Sequence, residues 1–123
     1  MKNPIFVFSD DLDIFKNSEA AERYMEPWLL KTKVSVFDST GRVLNCLVEK
    51  KPSTFLWGVF GTVEAVKIKD SQQVSPKDFR EQLVSYLKRL EKHNGRKGPL
   101  DLTHDNSLEL LVQAALDMKG YTS

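Results

Sequence analysis

Short apolar runs alternate with polar segments near the start of the chain. The apolar run at 5–8 is rich in β-forming residues and predicts a buried strand. The side chains of 9–11 offer oxygen atoms that can cap a helix, so a short helix is expected over 12–15. The polar pair at 17–18 predicts the cap of a second helix over 19–25, which a following proline ends.

The middle of the chain has the alternation that is typical of antiparallel strands. A hairpin is predicted over 34–44, with turn residues at 39–41. The polar segment 50–53 is expected to interrupt the next strand, and the apolar segment 55–60 predicts a central strand. Alternation over 63–70 predicts a further strand with one face exposed to water.

Two helices are predicted in the last third of the chain. Ser75 and Pro76 are typical of a helix start, and Gly95 is typical of its end. A second helix is predicted over 107–118, and its apolar residues cover nearly the whole circumference, which indicates burial on two sides or an interface such as a homodimer. The apolar stripe of the first helix is formed by Phe79, Leu83, Tyr86, Leu87 and Leu90.

These elements predict an α+β fold. The expected architecture is an antiparallel sheet of three to five strands, an amino-terminal helical segment and two carboxy-terminal helices packed on one face. The 123 residues, 41% of them hydrophobic, are expected to form a single domain over 1–123. No apolar run approaches the roughly 18 residues of a membrane span, and no signal peptide is apparent, so a cytoplasmic protein without membrane association is expected.

Charge is distributed unevenly although its total is only +1. Residues 1–30 carry three basic and six acidic groups, residues 31–98 carry 14 and seven, and residues 99–123 carry one and four. The three blocks therefore have net charges of −3, +7 and −3. Such a pattern can orient a binding partner, or it can belong to a solvated surface whose ends fold back on its middle.

Candidate catalytic groups are few. Asp11 and Asp13 have the spacing of a phosphoryl-transfer or metal site, but no second acidic cluster accompanies them, and helix-start acids are the favoured interpretation. His93 and His104 lack a third metal ligand, and Cys46 shares its predicted face with apolar residues, which favours an inert thiol. No nucleotide-binding or hydrolase motif is present. We therefore expect neither catalysis nor a metal or other cofactor.

Two surfaces are candidates for binding. Trp28 follows Glu26 and a proline, and is either an exposed interface anchor or a core tryptophan that covers the end of the sheet. A basic patch within the 31–98 block could contact nucleic acid, although a pI of about 7.8 argues against this. That alternative patch consists of Lys88, Arg89, Lys92, Arg96 and Lys97.

Three segments resemble small bacterial immunity-type proteins, which are encoded beside polymorphic or contact-dependent toxins. They are the acidic FSDDLDIF with SEAAERYMEP at 8–27, the FDSTGRVL hairpin at 37–44, and VSPKDFREQL at 74–83. Phe37 stands where a tyrosine is expected in that family. The similarity covers roughly residues 4–90, so the helix at 107–118 lies outside it.

This resemblance implies a cytoplasmic binding protein that neutralises one cognate toxin stoichiometrically and has no catalytic activity of its own. Such pairs combine a few buried anchors with complementary charge. The acidic amino-terminal block is the expected contact surface, whereas the near-neutral total charge argues against a basic nuclease as the partner. The predicted partner-binding residues are Asp10, Asp11, Asp13, Glu26 and Trp28.

Overall fold

The computed structural model confirms the α+β fold and describes residues 1–55, 59–95 and 107–122. Its strands form two antiparallel sheets, of three and two strands, rather than the single predicted sheet. In chain order the elements are β1 (Ile5–Phe8), β2 (Leu12–Phe15), α1 (Ser18–Tyr24), a 3-10 helix (Pro27–Lys31), β3 (Ser35–Phe37), β4 (Asn45–Phe55), β5 (Val59–Lys69), α2 (Pro76–Asn94) and α3 (Leu108–Lys119).

Strand β1 lies at the centre of the three-stranded sheet, whose order is β2-β1-β3. Phe6 and Phe8 pack with α2 and α3 on one face of the sheet. Ile5 and Val7 pack on the other face, in a second cluster that includes residues of α1, β4 and β5. Both faces of β1 are therefore buried, which explains its uninterrupted apolar sequence and confirms the predicted strand.

The helix predicted over 12–15 is wrong, because these residues form β2. Leu12 pairs with Phe8, and Phe15 pairs with Ile5. The polar residues of 9–11 make a tight turn in which the Ser9 amide donates to the Asp11 carbonyl at 3.0 Å. Pairing with β1 gives the backbone of β2 its hydrogen bonds while burying its apolar side chains, an outcome that an isolated four-residue helix cannot match.

The helix predicted over 19–25 and the hairpin predicted over 34–44 are confirmed. Helix α1 begins after Asn17, whose side chain accepts a hydrogen bond from the Ala20 amide at 2.8 Å. In the hairpin at 34–44, β3 is followed by a turn and by an antiparallel bridge between Phe37 and Val43.

Strands β4 and β5 correct the prediction for the middle of the chain. They pair residue by residue from Asn45 with Lys69 to Phe55 with Val59, so the break predicted at 50–53 and the separate strand at 55–60 are wrong. Gly58, which suggests a bulge or a close backbone contact within the predicted strand 55–60, lies outside the described residues. On β5, Val66 is buried and faces the second cluster, as the alternation over 63–70 predicted.

The carboxy-terminal helices are confirmed. Helix α2 ends at Gly95, which has a φ of +71°, and α3 begins after Ser107, whose side chain accepts from the Leu110 amide. Only one face of α3 packs on the core, through Leu111 and its neighbours, while Leu110 is 52% exposed. The helix is thus not covered on two sides within the described chain, and the homodimer stays a prediction. No helix among the described residues is long and apolar enough to cross a membrane.

Candidate functional site

The structure brings all five predicted partner-binding residues to one cavity of about 470 Å³. Its residues come from the β1–β2 turn, from β2, from the end of α1 and from the 3-10 helix. Sequence reasoning missed three of them, although two are neighbours of predicted residues along the chain. The cavity is lined by Ser9, Asp10, Asp11, Asp13, Tyr24, Glu26, Trp28 and Leu29.

Trp28 is an exposed aromatic residue and not the core tryptophan of the alternative interpretation. Its side chain is 59% exposed, and its Nε1 donates to Glu26 Oε2 at 2.7 Å. Pro27 is the first residue of the 3-10 helix, with Glu26 as the preceding cap residue. The short helix and this hydrogen bond hold the indole at the cavity in an ordered position.

Asp11 is fixed by groups from the far end of the chain. Its Oδ1 accepts from the Tyr86 hydroxyl at 2.6 Å, and its Oδ2 lies 3.4 Å from Lys119 Nζ. The Tyr86 hydrogen bond holds the pKa of the Asp11 carboxyl below its ordinary value, and burial together with Asp11 raises the pKa of Tyr86. Asp11 is therefore ionised, and Tyr86 is protonated, at neutral pH.

Asp13 is anchored in a similar way. Its Oδ1 accepts from the Thr122 hydroxyl at 2.9 Å, and the Thr122 amide donates to the Ile14 carbonyl at 2.7 Å. Neither Asp11 nor Asp13 starts a helix, so the helix-start interpretation is wrong. No sequence signal indicated the roles of Tyr86, Lys119 and Thr122, since they lie more than 70 residues from their partners.

A second cavity, of about 530 Å³, adjoins the first and shares Glu26 with it. It lies between α1 and β5. Four carboxylates and two cations contribute to its lining. Its residues are Glu19, Glu22, Arg23, Met25, Glu26, Pro27, Glu64, Ala65, Val66 and Lys67.

The basic residues of the alternative nucleic-acid patch are only partly described. Lys88, Arg89 and Lys92 are exposed on α2, and the Arg89 guanidinium lies 5.7 Å from the centre of the Tyr86 ring. Arg96 and Lys97 lie outside the described residues. The three described cations follow one another within two turns of a helix.

The remaining candidate chemical groups do not form a site in the described part of the chain. Burial and the nearby Glu22 raise the pKa of the Cys46 thiol to about 11, so the thiol is protonated and weakly nucleophilic at neutral pH. His93 is exposed near the end of α2, and His104 lies outside the described residues. Within 1–55, 59–95 and 107–122, no three His, Cys, Asp or Glu side chains are grouped so that they could hold a metal ion.

Neither protein-family models, nor curated proteins, nor solved structures match this chain.

Proposed function

We propose that this protein is an immunity-type protein that binds a cognate toxin protein in the cytoplasm and neutralises it stoichiometrically, without catalysis. The proposal combines the sequence resemblance with one structural observation. An exposed tryptophan, oriented by Glu26, stands at a cavity that is lined by three further carboxylates.

This surface has the features of a protein interface. Tryptophan contributes much of the binding energy at many interfaces because a large, rigid ring loses little conformational entropy when it is buried. The hydrogen bond to Glu26 reduces that loss further, since the indole is ordered before binding. The surrounding carboxylates favour a partner surface that carries Arg or Lys, and such complementarity accelerates association.

A co-expression experiment tests the function. The product of the gene adjacent to this one is expressed in a bacterial host with and without this protein, and growth and complex formation are measured. We expect this protein to restore growth and to form a one-to-one complex. Trp28→Ala should weaken the complex at least tenfold, as expected for an interface anchor worth about 2 kcal/mol.

The matched control is Leu110→Ala, because Leu110 is exposed to a similar extent on α3, away from the cavity. This variant should retain affinity within about twofold. Equal affinities of the two variants would contradict the assignment of the surface. Absence of both growth rescue and complex would contradict the function itself.

The exposed cations of α2 favour one alternative, a small nucleic-acid-binding module. In that case the purified protein binds DNA or RNA at low salt, binding weakens steeply as salt rises, and alanine at Lys88, Arg89 and Lys92 abolishes it. Tight toxin binding that survives this triple substitution would exclude the alternative as the main function.

A further inference from the structure

The outer edge of β4 carries unpaired backbone groups. The Ile68 amide donates to Glu22 Oε2 at 2.7 Å, so this N–H points away from β4. Ile68 and the residue opposite it, Cys46, therefore form a pair that exchanges no backbone hydrogen bonds. Because the direction alternates along an antiparallel strand, the outward amides of β4 are those of Cys46, Val48 and Lys50.

This edge is exposed at its centre. Val48 is 42% exposed and Leu47 is 45% exposed. Lys50 is also exposed, whereas Cys46 is partly buried. Among the described residues, no acceptor is found for the outward amides of Val48 and Lys50. An edge strand that exposes both apolar side chains and free amides favours pairing with another strand.

The other strand edges of the described structure are covered. The Thr122 amide occupies the edge of β2, and the Leu44 amide occupies the edge of β3. On β5, Val66 and Ile68 are only 3% and 4% exposed, and α1 contacts this strand. An added strand therefore finds room at β4.

Both ends of the exposed edge are marked by a residue that cannot donate outward. The Leu44 amide already donates to the Val36 carbonyl at 2.9 Å, and Pro52 has no N–H. Val48 lies midway between Leu44 and Pro52. If a second copy of β4 runs antiparallel about a two-fold axis at Val48, Leu44 of one protomer lies opposite Pro52 of the other. The pairing then ends at the same point on both protomers, and no outward donor between these limits lacks a partner.

This register also suits the side chains. It places an apolar pair on the axis and brings no two like charges directly opposite each other, an arrangement that would be destabilising. The opposite pairs are Val48 with Val48, Leu47 with Glu49, and Cys46 with Lys50. The first and the last of these pairs exchange backbone hydrogen bonds, because their amides point outward.

We propose that this protein forms a two-fold symmetric homodimer in which the outer edges of two β4 strands pair antiparallel about Val48. The two hairpins then make one four-stranded sheet of order β5-β4-β4-β5. Such an interface uses the same surface of both protomers. The dimer does not depend on toxin binding, and it differs from the homodimer predicted through 107–118. Because the paired segment is short, the dimer is weak and depends on concentration.

Analytical ultracentrifugation of the full chain, from micromolar to millimolar concentration, measures the dimer. Lys50 and Glu64 face each other in the hairpin, and proline at either position removes only an outward N–H. Lys50→Pro removes one interchain hydrogen bond from each protomer, so it should raise the dissociation constant at least about tenfold, and Glu64→Pro less than about twofold. Leu110→Glu, on the exposed face of α3, should also leave the dimer unchanged.

Cysteine cross-linking tests the register. Leu47→Cys and Glu49→Cys are made separately in a Cys46→Ala background. These two positions face each other across the axis in a pair without backbone hydrogen bonds, which brings their Cβ atoms within reach of a disulfide. After mild oxidation, a mixture of the two variants should cross-link at least about tenfold faster than either variant alone, because neither position faces itself.

Three results would overturn the inference: a monomer at millimolar concentration, equal effects of the two prolines, or equal cross-linking of the mixture and the single variants. Loss of the dimer in Leu110→Glu but not in Lys50→Pro would place the interface on α3 and also overturn it. Cross-linking keeps the test valid if Lys50→Pro fails to fold.

Discussion

At the scale of single residues, Asp38 shows how a charge can be buried. Its side chain is 1% exposed, and its carboxylate accepts four hydrogen bonds, from the amides of Lys2, Thr40 and Arg42 and from the Thr40 hydroxyl. Burial alone would raise the pKa of this carboxyl, but the four donors outweigh burial and lower it. Asp38 therefore stays ionised and fixes the turn that follows β3.

Asp38→Ala should destabilise the fold by about 3 kcal/mol, because the substitution leaves partly buried backbone donors without an acceptor. Urea unfolding followed by circular dichroism measures the loss. Glu81→Ala, which removes an exposed carboxylate from α2, is the control and should change stability by less than about 0.5 kcal/mol. Similar unfolding midpoints for the two variants would contradict the role of Asp38.

At the scale of elements, the turn after β3 contacts the start of α2 through Gly41. This residue has a φ of +86°, and a Cβ atom added to it would lie 2.6 Å from Pro76 Cα. The Ser75 amide donates to the Gly41 carbonyl at 2.9 Å, so a hydrogen bond also holds the turn against the start of α2. Glycine is required here by both its backbone conformation and the available space.

Gly41→Ala should cost about 3 kcal/mol, of which about 1 kcal/mol reflects the backbone conformation and the rest the forced separation of the turn from α2. Gly95→Ala is the matched control, since Gly95 has a φ of +71° and no atom within 4 Å of an added Cβ. This control should cost only about 1 kcal/mol in thermal or urea unfolding. Equal costs would show that the contact with Pro76 contributes nothing.

At the scale of the whole molecule, the carboxy-terminal third fixes the acidic amino-terminal surface. Tyr86 and Lys119 hold Asp11, and Thr122 holds Asp13. The negative charge of the candidate site is therefore ordered by residues from α2, α3 and the segment after α3. Loss of these contacts should therefore both destabilise the fold and leave Asp11 and Asp13 less ordered at the candidate site.

Tyr86→Phe should reduce stability by about 1 kcal/mol at neutral pH, since it removes one hydrogen bond to a carboxylate that is largely exposed to water. In the wild type, Tyr86 lowers the pKa of Asp11, so its stabilisation is present above the ordinary carboxyl pKa of about 3.9 and is lost as the pH falls through the lowered pKa. The difference between wild type and variant should therefore shrink in strong acid. NMR titration should show the pKa of Asp11 rising in the variant.

Tyr24→Phe is the control for this experiment, because Tyr24 lines the same cavity and is half exposed. It should leave both the acid profile and the pKa of Asp11 unchanged. If Tyr86→Phe is less stable than the wild type by the same amount at every pH, the coupling of Tyr86 to Asp11 is contradicted.

Several elements of this fold could be predicted because their signals are local. The cap at Asn17, the start of α2 at Pro76 and its end at Gly95 follow from the backbone preferences of those residues. The location of Trp28 beside Glu26 also follows from chain proximity, whereas its exposure and its location beside Asp10, Asp11 and Asp13 do not. The helix predicted over 12–15 failed because a cap-like sequence also suits a tight turn, and pairing with β1 decided between the two.

The sequence by itself determined the α+β class, the buried β1, the limits of the carboxy-terminal helices and the position of Glu26 beside Trp28, since these depend mainly on neighbouring residues. Only the tertiary structure decided that β4 continues through Pro52, because that proline is tolerated at an outer edge. The tertiary structure also decided which carboxylates are held in place, as Tyr86 and Lys119 hold Asp11 and Thr122 holds Asp13. That property depends on contacts between residues far apart in the chain, and local sequence patterns do not predict such contacts.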